Sequence, residues 1–401
     1  MEEITERPKK TPCCGDLPPE ARDVLGVIGS CARAEGNELQ YCRLIKQTDQ
    51  LVQWHALARH AEEHKLAPLV YRHLKAIQAL APDETMRELK ALALRHRHAN
   101  QVRGRALAEI LHALRREEIA PLVLKGAALA HLVYPEPGLR PMRDIDLLVA
   151  RSDLARAAAV LQGLGYCVDA QLAGITPDNH HHLPGLRRAI EGLSVSVELH
   201  HNLFPQTVYY RPLDYAALVG RAVPFEVQGA PALAPGYEDM LWHVYRHALG
   251  PPLLLTPLRL SVVADLSSLV ELRLEQIDWA DVRRRYPQVW NILPLLHFVS
   301  PWSPAVCARL DWDLEHAPDG AGQPYAGWPR RKRIPGGLRA NRHLLQATFS
   351  PPEWWLRLFY GAGSPAGAAW ARCIRHPLHV LEWRIHYWKE AFRRPARPGR
   401  G

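Results

Sequence analysis

At 401 residues the chain exceeds what one hydrophobic core usually supports, so two or three structural units are expected. Its 47% hydrophobic and 23% charged content is that of a soluble globular protein and excludes a disordered or fibrous chain. A net charge of +9 favours anionic partners such as nucleotides, nucleic acid or anionic lipid without selecting among them, and nucleic acid is kept only as the lesser alternative. The N-terminus lacks the apolar core of a signal peptide, and no run approaches the ~18 apolar residues of a membrane span, so no transmembrane segment is expected. Cys13, Cys14, Cys31, Cys42, Cys167, Cys307 and Cys373 make an odd set without a C-x-x-C pair, which points to unpaired thiols and a cytoplasmic location.

Residues 1–18 mix Pro, Gly and charge with few apolar groups and read as a loose tail. Residues 19–118 are predicted helical: Val24, Leu25 and Ile28, then Trp54, Leu57, Ala58 and Ala61, recur at spacings of three and four, with Pro68 and Pro82 as punctuation. The period changes in a small α/β core assigned to 119–205. Leu122–Leu124 and Ile145–Val149 read as buried strands, Ser152 as the cap of a helix over Asp153–Gln162, and Gly163 and Gly165 as its stop. Leu193–Leu199 alternates, with Val195, Val197 and Leu199 on one face and Ser196, Glu198 and His200 on the other. Helical pattern returns over 206–300, notably Tyr237–Ala248 and Leu258–Leu272. A Pro-, Gly- and charge-rich stretch, 301–335, reads as a linker or long loop, and 336–401 as an aromatic, basic, helical section. The predicted class is therefore α+β, a small mixed-sheet core flanked by helical N- and C-terminal sections.

Chemistry concentrates between Pro121 and Val149. Asp144 and Asp146, two apart on a strand, project from one side while Ile145 and Leu147 enter the core. Two carboxylates on one face suit a pair of Mg²⁺ ions, with Mn²⁺ as the substitute, because hard cations prefer oxygen ligands. Glu198, on the polar face of a later strand, is the candidate third carboxylate, and His200 shares its face and is placed to orient it or touch substrate. About twenty residues before the aspartates, Lys125-Gly126 opens a helix. There the N–H groups of Gly126, Ala127 and Ala128 would bind phosphate, with Lys125 adding charge and Arg140 and Arg143 either holding a phosphate or balancing the carboxylates.

Other features favour plainer readings. His180, His181 and His182 are consecutive, and neighbouring side chains diverge, so a metal site is not expected there. His243 and His247 share a helix face, and Asp265 lies in an apolar helix; a satisfied core role is preferred over lining an acceptor pocket. The interleaved aromatics and arginines from Trp370 onward read as an amphipathic helix packed on its own protein, with stacking on bases or an anionic membrane as the alternative.

The segment KGAALAHLVYPEPGLRPMRDIDLLV, followed by VELHHNL at 197–203, resembles the DNA polymerase β-like nucleotidyltransferase superfamily, and more narrowly its bacterial uncharacterised nucleotidyltransferase group. Weaker similarities, HKLAPLVYRHL, LWHVYRHAL, RLSVVADLSSLVE and FSPPEWWLRLFYG, extend the resemblance over about residues 20–390. It implies a nucleoside triphosphate substrate touched by Gly126 and Ala127, Asp144 and Asp146 as ligands of both metals, and Glu198 as third ligand or base. The implied reaction is transfer of a nucleoside monophosphate to a hydroxyl or phosphate with release of pyrophosphate. The acceptor would be a small molecule, peptide or saccharide, in natural-product or polysaccharide biosynthesis. One departure stands out: the superfamily commonly has Ser where this chain has Ala127, leaving only backbone N–H groups for phosphate. That departure raises the alternative of a weak or inactive member that acts as an RNA-, peptide- or protein-binding module.

Overall fold

The three-and-four periodicity of the first hundred residues becomes a run of helices. In the computed structural model, which describes residues 24–168, 180–204, 213–249, 259–315, 351 and 353–393, these are α1 (Val24–Ser30), α2 (Glu38–Gln50), α3 (Trp54–Glu63), α4 (Ala67–Ala76) and α5 (Asp83–Arg116). Three of these starts have a local cause: Asn37 accepts from Gln40 N–H at 2.8 Å ahead of α2. Pro68 occupies the first turn of α4, where a missing N–H costs nothing, and Pro82 immediately precedes α5. The tail 1–18, with Cys13 and Cys14, lies outside the described residues.

A seven-stranded mixed sheet follows, built from β1 (Leu122–Val123), β2 (Asp144–Leu148), β3 (Cys167–Val168), β4 (Leu186–Ile190), β5 (Leu193–His200), β6 (Val223–Val227) and β7 (Ala230–Ala234) in the spatial order β3-β4-β5-β2-β1-β7-β6. β2 runs parallel to β5 and β1 parallel to β7, while the remaining pairs are antiparallel. β2 is the central strand, and α6 (Lys125–Leu132) packs beside it after the turn from β1. The protein is thus α+β, with the sheet between helical sections.

Three local expectations need correction. The sheet does not end near 205, because the hairpin β6–β7 extends it to Ala234. The prolines Pro224 and Pro231 and the alanines of β7 concealed that hairpin, since such residues are depleted in strands. Its two-residue turn, Gln228 and Gly229 with φ of 51° and 81°, uses the same left-handed pair as Glu191 and Gly192 between β4 and β5, at 49° and 75°. Secondly, Ser152 does not cap the next helix. It sits in a 3-10 turn, Arg151–Asp153, that leads into α7 (Leu154–Gly163). Thirdly, the stretch 301–335 begins with a helix, α13 (Pro304–Leu310), capped by Ser303, which accepts from Val306 N–H at 3.3 Å. Residues 316–335 lie outside the described residues.

A short helix α8 (Tyr215–Val219) lies between β5 and β6, and beyond the sheet come α9 (Tyr237–Ala248), α10 (Ser261–Leu272), α11 (Trp279–Arg285), α12 (Pro287–Leu296) and, near the end, helices Glu353–Tyr360, Pro365–Trp370 and His376–Arg393. One continuous apolar cluster runs from Val24 to Trp383 through both faces of the sheet. Arg33, only 1% exposed, ties the first helical section to the later ones through Glu271 and the Pro301 carbonyl.

Candidate active site

The parallel pairing of β2 with β5 sets Asp144 opposite Ser196, Asp146 opposite Glu198 and Leu148 opposite His200. Because side chains alternate along a strand, Asp144, Asp146, Glu198 and His200 share one face, and Ile145, Leu147, Val195, Val197 and Leu199 are buried on the other. Asp146 and His200 are buried, whereas Asp144 and Glu198 are partly open. One ligand atom from each of Asp146, Glu198 and His200 lies within 4.8 Å of the others, and Asp144 borders this group from two residues along the strand. The carboxylate oxygens are hard donors of the kind that fit a divalent cation, with the imidazole beside them.

His200 Nε2 lies 3.0 Å from Asp146 Oδ1 and 3.6 Å from Glu198 Oε2. Both neighbours are acceptors, so Nε2 carries the proton and donates it to Asp146. Lys125 Nζ reaches the same Oδ1 at 2.9 Å. Burial alone would push the Asp146 carboxyl up, but Lys125 and His200 outweigh it and hold the group well below the usual carboxylate range. The nearby His200 imidazole likewise lowers Glu198. Asp144 moves the other way, raised by burial and then by the charge on Asp146, so this half-open carboxylate is the one most relieved by an added cation.

The turn that supplies Lys125 is fixed by the Leu124 N–H, which donates to the Asp146 carbonyl at 2.9 Å. Lys125 itself takes a left-handed φ of 47°, uncommon for a non-glycine residue, and directs its ammonium at Asp146 rather than outward. The first helical bond of α6 is Ala128 N–H to Leu124 O at 3.4 Å, so Ala128 is not an open amide and the first-turn donors are Lys125, Gly126 and Ala127. Gly126 has a packing cause as well: a Cβ there would stand 2.8 Å from Arg140 Nη1. Arg140, expected to face a phosphate or the aspartates, is instead bound through Nε and Nη2 to both oxygens of Asp265 at 2.9 and 2.7 Å. Arg143 is exposed and lies within electrostatic range of Glu62 and Lys65.

Sequence reading overlooked Lys65 and Arg103. Lys65, in the HKLAPL segment between α3 and α4, has a left-handed φ of 60° and interacts electrostatically with Asp144. Burial, then the cations Arg140 and Arg259, push its ammonium down to about 8. Arg103 of α5 also feels Asp144. Neither had a detectable pattern, because each comes from a helical section more than 40 positions away from the D-x-D.

The histidines behave differently from expectation. His180, His181 and His182 converge instead of diverging, with ring centroids 4.1–4.7 Å apart and ring nitrogens within 4.8 Å of one another. His182 packs 4.9 Å from His200, and burial keeps His181 and His182 neutral by lowering both. His243 on α9 is 2% exposed and its Nε2 has no hydrogen-bond partner among the described residues. A separate cleft of about 600 Å³ lies between α4, α5 and the 3-10 turn Pro137–Leu139, and none of the three carboxylates lines it.

Comparison with known families places residues 50–299 on the model of an uncharacterised nucleotidyltransferase family, which spans the helical lead-in from α3, the whole sheet and the helices through α12. No curated protein and no solved structure gives a significant match. Among the described residues no helix is long and apolar enough to cross a membrane. With the match covering well over half of the chain, and the D-x-D strand paired to an acidic strand inside it, the protein belongs to the uncharacterised nucleotidyltransferase family.

Proposed function

We propose that the protein transfers a nucleoside monophosphate from a nucleoside triphosphate to an acceptor hydroxyl or phosphate, releasing pyrophosphate, in a Mg²⁺-dependent reaction. The observation that carries this reading is the register of β2 and β5, which puts Glu198 directly across from Asp146 and two residues along from Asp144, on the same face. Asp144, Asp146 and Glu198 would hold the metal, which supplies charge neutralisation of the triphosphate and a lowered acceptor pKa. Gly126 and Ala127 offer backbone N–H groups at the start of α6, and Lys65, Arg103 and Arg143 form a basic rim near Asp144 for the phosphates. The acceptor oxygen attacks the α-phosphorus, the bond to the bridging oxygen of pyrophosphate breaks, and Glu198 takes the acceptor proton. His200 holds Asp146 and Glu198 in place. The acceptor is a small molecule, peptide or saccharide of natural-product or polysaccharide biosynthesis.

The test is Mg²⁺-dependent binding of ATP, GTP, CTP and UTP, followed by a search for nucleotidylated products. Asp144→Asn with Asp146→Asn should abolish turnover; full turnover in that double variant would refute the assignment. A second reading, a family member that binds without turnover, is favoured by two features: Lys125 already neutralises Asp146, and Ala127 lacks a hydroxyl. Tight triphosphate binding with no product from any acceptor pool would select it.

A further inference from the structure

Among the described residues, five of the ten exposed large hydrophobics lie on one continuous helical path near the C-terminus: Trp370 (57%), Ile374 (48%), Leu378 (56%), Leu381 (56%) and Ile385 (48%). Their spacings of four, four, three and four place them on one side, along the path formed by Pro365–Trp370, the π-helical turn Ala371–Arg375 and the helix from His376. The opposite side, as far as Trp383, packs on the protein. Ala371, Val380 and Trp383 are buried, Tyr360 Oη meets His376 Nδ1 at 2.9 Å, and Trp383 Nε1 donates to His379 Nε2 at 2.9 Å. The sequence expectation of self-packing is therefore met by one side only. Single surface hydrophobics need no explanation, but a contiguous outward stripe on an anchored helix marks an interaction site.

Charge identifies the occupant. Residues 370–401 contain eight Arg and Lys residues against two Glu, and Arg384 is exposed between Leu381 and Ile385. Among the described side chains of this path the basic residues Arg372, Arg375 and Arg384 outnumber the single Glu382, so a second copy docking stripe to stripe would bring like charges together, which disfavours self-association. An apolar stripe flanked by cations, held flat on the body of the protein, has the character of a helix that lies in the interfacial plane of an anionic bilayer. We propose that this stripe docks the protein peripherally on an anionic lipid surface, with Trp370, Ile374, Leu378, Leu381 and Ile385 entering the headgroup region and the surrounding arginines meeting lipid phosphates.

The experiment is flotation of the full chain with vesicles of phosphatidylcholine alone or containing about a third phosphatidylglycerol. The wild-type chain should float with the anionic vesicles, at least tenfold more than with neutral ones, and salt should weaken the association. Leu378→Glu with Leu381→Glu, both exposed and outside the core, should lower binding at least tenfold while leaving the thermal unfolding midpoint unchanged. Arg384→Glu should lower it less. No binding to anionic vesicles, or undiminished binding by the Leu378/Leu381 double variant, would overturn the proposal. A concentration-dependent dimer abolished by the double variant, with no vesicle binding, would instead assign the stripe to a second copy. None of these readouts depends on nucleotidyl transfer.

Discussion

Arg140 and Asp265 form a two-point ion pair, Nε to Oδ1 at 2.9 Å and Nη2 to Oδ2 at 2.7 Å, with Tyr134 Oη donating to the same Oδ1 at 2.8 Å. The pair joins the segment just before β2 to helix α10 and is nearly buried, with side-chain exposures of 14% and 4%. Arg140 lies four residues before Asp144, so α10 indirectly fixes where the first aspartate enters the strand. Removing one partner leaves a buried charge, which costs about 3–5 kcal/mol. Asp265→Ala should accordingly lower unfolding free energy by about that amount in denaturant titration, whereas Arg140→Met combined with Asp265→Leu should recover much of it. A fully stable Asp265→Ala variant would show that the clamp is not structural.

Gly126 is tied to the same clamp. The Cβ of Gly126→Ala would press on Arg140 Nη1 at 2.8 Å, and Asp265 prevents the guanidinium from swinging away. Overpacking of this kind costs roughly 1–3 kcal/mol. Since both substitutions act through Arg140, Gly126→Ala should cost less in an Asp265→Ala background than alone, a non-additivity that a double-mutant cycle measures. Strict additivity would show that the added methyl is accommodated elsewhere.

Lys65 gives the proposed reaction a distinct pH signature. Its folded-state pKa of about 8 means that its positive charge is lost as pH rises past that value. If it holds a triphosphate oxygen, kcat/KM should fall about tenfold per pH unit above this point, and Lys65→Arg, always charged, should flatten that limb. Lys65→Met should raise KM on the order of 10- to 100-fold, corresponding to one charge-assisted hydrogen bond. Wild-type kinetics in Lys65→Met would remove it from the site.

Buried neutral histidines should make the fold acid-labile at mild pH. Burial lowers His73 to about 4 and His379 to about 3. The unfolded chain takes up protons near pH 6.5, and these folded-state groups only at much lower pH, so each contributes stability above pH 6.5 that declines as pH falls toward its folded value. The slope is up to about 1.4 kcal/mol per pH unit per histidine. Thermal melts should show the midpoint already falling between pH 6.5 and 5, above the range where carboxylates titrate. A flat midpoint over that interval would contradict the assignment of these histidines as neutral.

Much of the central chemistry was legible because it is local. The alternation of Asp144-Ile145-Asp146-Leu147 and of Val195 to Leu199 fixed which side chains share a face once those segments became strands, since the period of a strand is two. Helices α9 and α10 were readable for the same reason at a period near 3.6. The hairpin β6–β7 was not, because Pro224, Pro231 and three alanines carry little strand preference and only the neighbouring strand β1 makes β7 part of the sheet.

Composition and pattern by themselves determined that this chain would be an α+β protein with an acidic strand pair and a glycine turn at its centre. Tertiary structure decided who meets whom: that Lys125 turns inward to Asp146, that Arg140 goes to Asp265, and that Lys65 arrives near Asp144 from the distant turn between α3 and α4. The physical reason is that face and period are set by backbone geometry within a few residues, whereas ion pairing in a buried site depends on which charged groups the packing of remote elements brings within a few ångströms.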